Sequence, residues 1–361
     1  MIRMNDSTST SAARPLRRAA AAGAALILAA GLTACSALSG EDSSGGADGG
    51  SLAVSTSFYP IGFLAETIGG EHVTVTSVTP TNVEPHDYEL SPKDVAALGQ
   101  ADIIAYVPGF QPSLDDAVAQ VSGPTVLDLS AQADLVHHDG VEHDHDHGHD
   151  HDHGTEEAHD HGTEEGHDHG TEEAHDHGTE EAHDHDHEHS DGLDPHFWLD
   201  PQRMSAAATA VEEALSAADP DHAADYQKNL EALTTELTSL DTSYQEGLAT
   251  CERTTFVTSH SAFGYLAERY GLTQASVSGI DPEAEPSPAQ IAAIKKVVEE
   301  TGTTTIYTEE LVSTKTADAL ASETGATTAV LSPMESAPEK GSYVDGMKAN
   351  LQALRTGLSC T

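Results

Sequence analysis

Residues 137–190 set the first limit on what this chain can fold into. From His137 to His189 the sequence is low-complexity. Its core is an eight-residue repeat, His-Asp-His-Gly-Thr-Glu-Glu-Ala, starting at His151, His159, His167 and His175, with Gly166 ending the second copy. The tract holds 18 of the chain's 23 histidines, contains no Lys or Arg, and has almost no apolar residues. Such a segment cannot bury a core and is expected to be disordered without metal. Nothing in the repeat can stack as a hydrophobic layer, so its period does not suggest a solenoid. The folded body must be built from the segments on either side.

Both flanks carry the same alternation. Short β-rich runs at 52–57, 73–78, 103–107 and 125–129 are interleaved with helical patterns at 61–68, 92–98 and 114–121. After residue 250 the runs 255–259, 275–278, 304–308 and 327–331 alternate with helical patterns at 263–270, 316–323 and 343–358. Ser287-Pro288-Ala289-Gln290 opens a further helix, with Ser as cap, Pro at the first position and Gln three residues after the cap. Strands alternating with helices predict parallel sheets flanked by helices. Between the flanks, Asp200-Pro201 opens one helix and Asp219-Pro220 ends it. The stretch 223–248 then repeats apolar residues at three and four (Leu230, Leu233, Leu237, Leu240, Tyr244), which predicts one long helix. The expected α/β architecture is two similar lobes, 52–220 (carrying the 137–190 tract) and 251–361, joined by a linker helix at 221–250. A single larger α/β domain is the alternative.

The start of the chain reads as a targeting segment. Arg3, Arg14, Arg17 and Arg18 precede an apolar run from Ala19 to about Ala30, which ends at Leu32-Thr33-Ala34-Cys35. A charged start, a short apolar core and small residues mark a secretory signal peptide. Leu-Thr-Ala-Cys also resembles a bacterial lipoprotein processing site, so residues 1–35 are expected to be a signal ending at a lipidated Cys35. Residues 36–51, rich in Ser, Gly and Asp, are expected to form a flexible tether. The formal net charge of -46 argues against nucleic acid as a partner, since phosphate binding needs Lys and Arg. It fits a protein that attracts cations. With Cys35 assigned to lipid, Cys251 and Cys360 remain as an even pair in an oxidising compartment, and a disulfide between them is expected. Two free thiols or zinc ligands are the alternative.

Histidine and carboxylate together are ligands for Zn2+, and also for Cu2+ and Ni2+. The tract supplies both through His143, His145, His147, His149, His151, His153, His159, His161, His167, His169, His175, His177, His183, His185, His187 and His189. Several weak, interchangeable sites are expected there, because a flexible chain loses conformational entropy in closing around each ion. Five histidines lie outside the tract. His72 and His222 read as surface residues at helix edges and are given no role. His86 lies in Asn82-Val83-Glu84-Pro85-His86-Asp87-Tyr88-Glu89, His196 in Asp194-Pro195-His196-Phe197-Trp198-Leu199-Asp200-Pro201, and His260 in Ser259-His260-Ser261-Ala262-Phe263-Gly264-Tyr265. In open parallel sheets, ligands bind beyond the carboxyl ends of the strands. His86 and His260 stand past such ends at what read as equivalent positions, one in each half, which favours a metal role for them.

Taken in order, these segments resemble the zinc-binding solute receptors of ABC importers, the ZnuA-like members of a cluster that also serves manganese. The resemblance runs from about Leu52 to the C-terminus. It is carried by Glu84-Pro85-His86-Asp87-Tyr88-Glu89, Ser91-Pro92-Lys93-Asp94, the Asp194–Pro201 segment, the run from Ser259 to Leu272, and Pro282 to Gln290. It implies that His86, His196 and His260 bind one metal in a cleft between the lobes. An acid of the second lobe is implied as fourth ligand, best matched by Glu335, with Glu309, Glu310 or a water as alternatives. It further implies a membrane permease as partner, a lipid anchor to the outer face of the cell membrane, a monomer, and the tract as an auxiliary zinc segment. A Cys pair like Cys251 and Cys360 occurs in some members. One departure concerns Gln111-Pro112-Ser113, where the family often has Glu and Trp, so a polar contact there is in question.

Three imidazoles and a carboxylate suit tetrahedral Zn2+, whereas Mn2+ prefers more oxygen ligands. Four functions compete at this stage: a zinc receptor without catalysis, a manganese receptor, a metal buffer whose tract does all the binding, and a zinc hydrolase. A filled fourth position and the lack of a positioned general base favour the receptor over the hydrolase.

Overall fold

The computed structural model describes residues 51–138 and 193–361. The expected signal segment, Cys35, the tether up to residue 50 and the tract histidines from His143 to His189 lie outside the described residues. Among those described, no helix is long and apolar enough to cross a membrane.

The first lobe runs β1 (Leu52–Thr56), α1 (Tyr59–Gly69), β2 (Val73–Ser77), α2 (Pro92–Leu98), β3 (Ile103–Tyr106), α3 (Pro112–Gln120), β4 (Thr125–Asp128) and a short α4 (Ser130–Ala133). Then come α5 (Pro201–Ala218) and the long α6 (Ala223–Leu248). The second lobe follows with β5 (Thr255–Thr258), α7 (Gly264–Tyr270), β6 (Thr273–Ser276), α8 (Pro288–Thr301), β7 (Thr305–Thr308), α9 (Lys315–Thr324), β8 (Thr327–Val330) and α10 (Tyr343–Gly357). Two four-stranded sheets result, ordered β2-β1-β3-β4 and β6-β5-β7-β8, with every pairing parallel. The expected architecture of two alike α/β halves joined by one helix is the one found.

Local chemistry explains the helix starts. Ser287 accepts from the Gln290 amide and Gln290 answers at the Ser287 amide, 2.8 Å away, a reciprocal cap that satisfies two donors of α8's first turn. Asp200 caps α5 from its side chain at the Gln202 amide, 2.8 Å away, with Pro201 at the first helical position. At about 1.5 Å per residue, the 26 residues of α6 span roughly 39 Å. Leu233, Leu237, Leu240 and Tyr244 are buried along its inward stripe; Leu230 is only half-buried. Each buried leucine contributes about 1.5–3 kcal/mol. The largest apolar core includes these residues together with Phe58 and Trp198 of the first half and Phe256 and Phe263 of the second. Asp241 adds a polar lock on the same helix. Arg269 donates to both of its oxygens at 2.7 Å, and the Tyr270 hydroxyl donates at 2.9 Å, tying α6 to α7.

His72 and His222 are not idle surface residues. Their rings stack at 3.9 Å, His72 Nε2 lies 3.1 Å from Asp225 Oδ2, and His222 Nδ1 lies 2.6 Å from Asp219 Oδ2. They pin the end of α1 to the start of α6. The Cys251–Cys360 disulfide is present and ties the entry of the second lobe to the end of the chain.

Candidate metal centre

His196 immediately precedes a 3-10 turn, Phe197–Leu199, that leads into α5, and all of its side chain is buried. His260 stands two residues past β5, also fully buried. His86 comes from the long loop between β2 and α2, nine residues beyond the end of β2. The sequence reading that put His86 and His260 at equivalent positions is therefore corrected. β5 is an inner strand matched by β1, whereas His86 follows the edge strand β2. Gln111 holds the His86 loop in place. Its Nε2 donates to the Pro85 carbonyl at 2.9 Å and to Thr79 Oγ1 at 2.7 Å, so the polar contact that the sequence left in question is made.

Glu335 sits five residues past β8, in a segment whose backbone is held by two side chains, one of them braced by a third. Asn350 of α10 accepts from the Ser332 amide at 2.9 Å and donates to its carbonyl at 2.7 Å. Trp198 Nε1 donates to the Pro333 carbonyl at 2.7 Å, and the Tyr343 hydroxyl donates to the Trp198 carbonyl. Met334 adopts a left-handed backbone (φ 61°), which is unfavourable for a residue with a Cβ. Its thioether fills the space left by Gly346, where an added Cβ would lie 2.5 Å from the Met334 methyl carbon.

These separate stretches bring His86, His196, His260 and Glu335 to one point, with one ligand atom from each lying within 4.8 Å of all the others. The His196 Nε2 lies 3.4 Å from the Nε2 atoms of both His86 and His260. Glu335 Oε1 lies 3.4 Å from His86 and His196 and 3.6 Å from His260. A tetrahedron with zinc–ligand bonds of about 2.0–2.1 Å has edges about 1.63 times longer, roughly 3.3–3.4 Å. Five of the six edges, at 3.4–3.6 Å, are close to the spacing of a tetrahedral zinc shell, and the sixth, His86 to His260, is within 4.8 Å. Glu335 Oε1 is buried without a hydrogen-bond partner, a costly arrangement for a carboxylate unless a cation shares it.

Carboxylates behind the rings aim them. His196 Nδ1 lies 2.7 Å from Asp194 Oδ1, and His260 Nδ1 lies 2.7 Å from Glu309 Oε2. A proton on His196 Nδ1, shared with Asp194, leaves its Nε2 lone pair directed at the cluster, the usual way a carboxylate orients a metal-binding histidine. Glu309 stands against His260 Nδ1 as a close charge partner, out of hydrogen-bond alignment. Burial would lower the His260 pKa, but Glu309 and then Glu335 raise it to about 10. Burial would likewise lower that of His196, and Asp194 more than offsets it. Burial pushes the Glu335 carboxyl up, yet the imidazoles of His196, His260 and His86 close around it hold it well below the ordinary range. All three directions have one meaning: the pocket strongly favours positive charge. Glu309, an alternative fourth ligand in the sequence reading, is placed behind His260 instead, and Glu310 is exposed and outside the cluster. The sequence reading missed His138, which it had absorbed into the tract. The structure sets its Nδ1 2.7 Å from Asp194 Oδ2.

The chain is similar to several known zinc-binding proteins. The high-affinity zinc uptake system protein ZnuA of Bacillus subtilis (strain 168) is 34% identical over 343 residues, covering 92% of this chain and 96% of that protein. The zinc-binding lipoprotein AdcA of Streptococcus pneumoniae (strain ATCC BAA-255 / R6) is 33% identical over 315 residues, and the match covers 85% of this chain but only 56% of AdcA. A Zn(II)-bound variant of AdcAII from Streptococcus pneumoniae superposes with a TM-score of 0.67 at 28% identity, covering 86% of this chain and 99% of that one. The ZnuA profile, described as zinc-uptake complex component A, periplasmic, matches residues 54–357, so the chain belongs to the ZnuA family.

Proposed function

We propose that this protein is an extracytoplasmic receptor that binds one Zn2+ through His86, His196, His260 and Glu335 and delivers it to the membrane permease of an ABC importer. One observation carries the reading: three imidazoles and one carboxylate oxygen converge at one buried point, with five of their six separations close to the edge length of a tetrahedral zinc shell. Zinc is cargo here. Glu335 takes the position that a catalytic site would leave open for water, so the chain acts as a receptor and not as an enzyme. Three imidazoles also disfavour Mn2+, which prefers oxygen ligands. The lipidation motif at Leu32–Cys35, and a relative named as a lipoprotein, support attachment to the outer face of the cell membrane through Cys35. The histidine tract serves as an auxiliary, weaker zinc segment, and the receptor works as a monomer.

The test uses the chain's single tryptophan. Trp198 lies with its ring 5.1 Å from that of His196, so its emission reports on the cleft. The full chain and a chain lacking residues 139–190 are titrated with Zn2+ and Mn2+ against a chromogenic chelator. Tight one-to-one zinc binding that survives the deletion is expected, with Mn2+ far weaker. His260→Ala should weaken zinc by about 100-fold, at the upper end of what even outer-shell losses cost. Loss of tight binding on deletion of the tract would move the receptor function to the tract, and tighter Mn2+ than Zn2+ would make the cargo manganese.

A further inference from the structure

Asp194 is fully buried and has both carboxylate oxygens committed. Oδ1 accepts from the His196 backbone amide at 2.9 Å and faces His196 Nδ1 at 2.7 Å. Oδ2 faces His138 Nδ1, also at 2.7 Å. We propose that His138 is a positioning residue of the metal centre, acting through Asp194 on His196. The proposal rests on the reading of the cluster as a zinc site.

An ionised carboxylate withdrawn from water needs donors on both oxygens to hold one orientation. The plane of Asp194 sets the plane of the His196 ring, and so the aim of its Nε2. His138 supplies the second donor. Its own position is built into the second lobe. The ring meets Tyr265 edge-on, with centroids 4.4 Å apart and planes at 88°. Its Nε2 lies 3.3 Å from Glu268 Oε2. Gly264 lies beneath it, and an added Cβ there would come within 2.4–2.5 Å of ring atoms. The backbone around it is tied as well. Asp194 N donates to the Val136 carbonyl at 2.8 Å, Val136 N donates to the Tyr265 hydroxyl at 2.9 Å, and that hydroxyl donates to the Asp194 carbonyl at 2.6 Å. His138 thus stands at the head of the histidine tract with its ring turned to a carboxylate, as part of the folded centre.

The test measures zinc affinity of the full chain by chelator competition and Trp198 emission. His138→Ala should weaken zinc by about 5-fold or more, near the lower end of outer-shell losses because it acts one residue further out. His138→Gln keeps a donor toward Asp194 and should recover most of that loss. Gly264→Ala should weaken binding in the same direction by displacing the ring. In an Asp194→Asn background, His138→Ala should change affinity by less than about twofold, since residues acting through one contact are not additive. The Co2+ absorption spectrum should shift in His138→Ala, which a remote structural effect would not produce. Should His138→Ala fail to fold, the Gln and Gly264 variants decide alone. Wild-type affinity in His138→Ala, or full additivity with Asp194→Asn, overturns the proposal while leaving the zinc centre intact. Absence of a one-to-one zinc site in the wild-type chain overturns both.

Discussion

Glu309 Oε2 lies 2.7 Å from Nδ1 of His260, on the side of the ring turned away from the other three groups of the cluster. The same carboxylate accepts from the His260 backbone amide at 3.2 Å, so it fixes both ends of the residue. Losing it should free the ring to rotate and reduce the basicity of Nε2. Glu309→Ala is expected to weaken zinc by about 10–100-fold, and Glu309→Gln, which still offers an acceptor to Nδ1, by less. Chelator competition checks this. Equal affinity in wild type and Glu309→Ala would show that the ring is held by packing alone.

Gln111 offers a second test, because it touches no ligand atom yet holds the loop that delivers one. Gln111→Ala leaves the Pro85 carbonyl and Thr79 Oγ1 without their donor in a buried setting. Stability should fall by about 1–3 kcal/mol, and zinc affinity should fall with it as the His86 loop loosens. Denaturant unfolding of the metal-free protein reads the first effect and competition titration the second. A stability loss with unchanged affinity would mean that the His86 loop is held by its other contacts.

These residues also mark how far the sequence could be read. The strands and the long α6 were legible because burial and capping leave local patterns, and the ligand set His86, His196 and His260 was legible through the resemblance of its motifs to a family. β6 was expected at 275–278 and lies at Thr273–Ser276. Its first residues, Thr273 and Gln274, are polar and sit on an edge strand, where pairing with Thr255 and Phe256 rather than hydrophobicity sets the boundary. The supposed equivalence of His86 and His260 failed because strand order is a tertiary property: which run becomes an edge is not written in its composition. His138 was hidden for another reason. Its neighbours repeat the same residue types, and only the folded chain brings Gly264, Tyr265 and Asp194 around it. Gln111, read as a departure from the family, proved to make the contact with its own amide.

Asp241 gives the fold a predictable acid sensitivity. Burial pushes its carboxyl up, but hydrogen bonds from Arg269 and Tyr270 more than offset this and hold it below the ordinary range. A carboxyl depressed in the folded state supplies stability that is complete above its unfolded value of about 3.9, and that is lost as pH falls through the lower folded value. Asp241→Asn should therefore lower Tm by a constant amount above about pH 5, with the gap to wild type narrowing below about pH 4. At neutral pH the loss should be about 1–3 kcal/mol, moderated because Arg269 keeps Asp200 Oδ1 at 3.2 Å as a second partner. Thermal unfolding of both proteins between about pH 3 and 7 measures the gap. A gap independent of pH would mean that Asp241 acts through packing and not through its charge.

The disulfide closes a loop across 109 residues of sequence separation, which takes in the whole second lobe. Constraining the unfolded chain over so long a loop is worth about 2–5 kcal/mol in the loop-entropy account. Cys251 precedes β5 whereas His260 follows it, and the four ligand-bearing segments are each held by their own contacts: Gln111, Asp194, Glu309 and Asn350. Reduction, or the Cys251→Ser and Cys360→Ser pair, should then lower the unfolding free energy by that amount while changing zinc affinity at 25 °C by less than about threefold, since well-separated sites contribute nearly independently. Denaturant titration and chelator competition on the same preparation separate the two quantities. A large affinity loss at unchanged folded fraction would mean that the link at the base of the second lobe also sets the spacing of the metal centre.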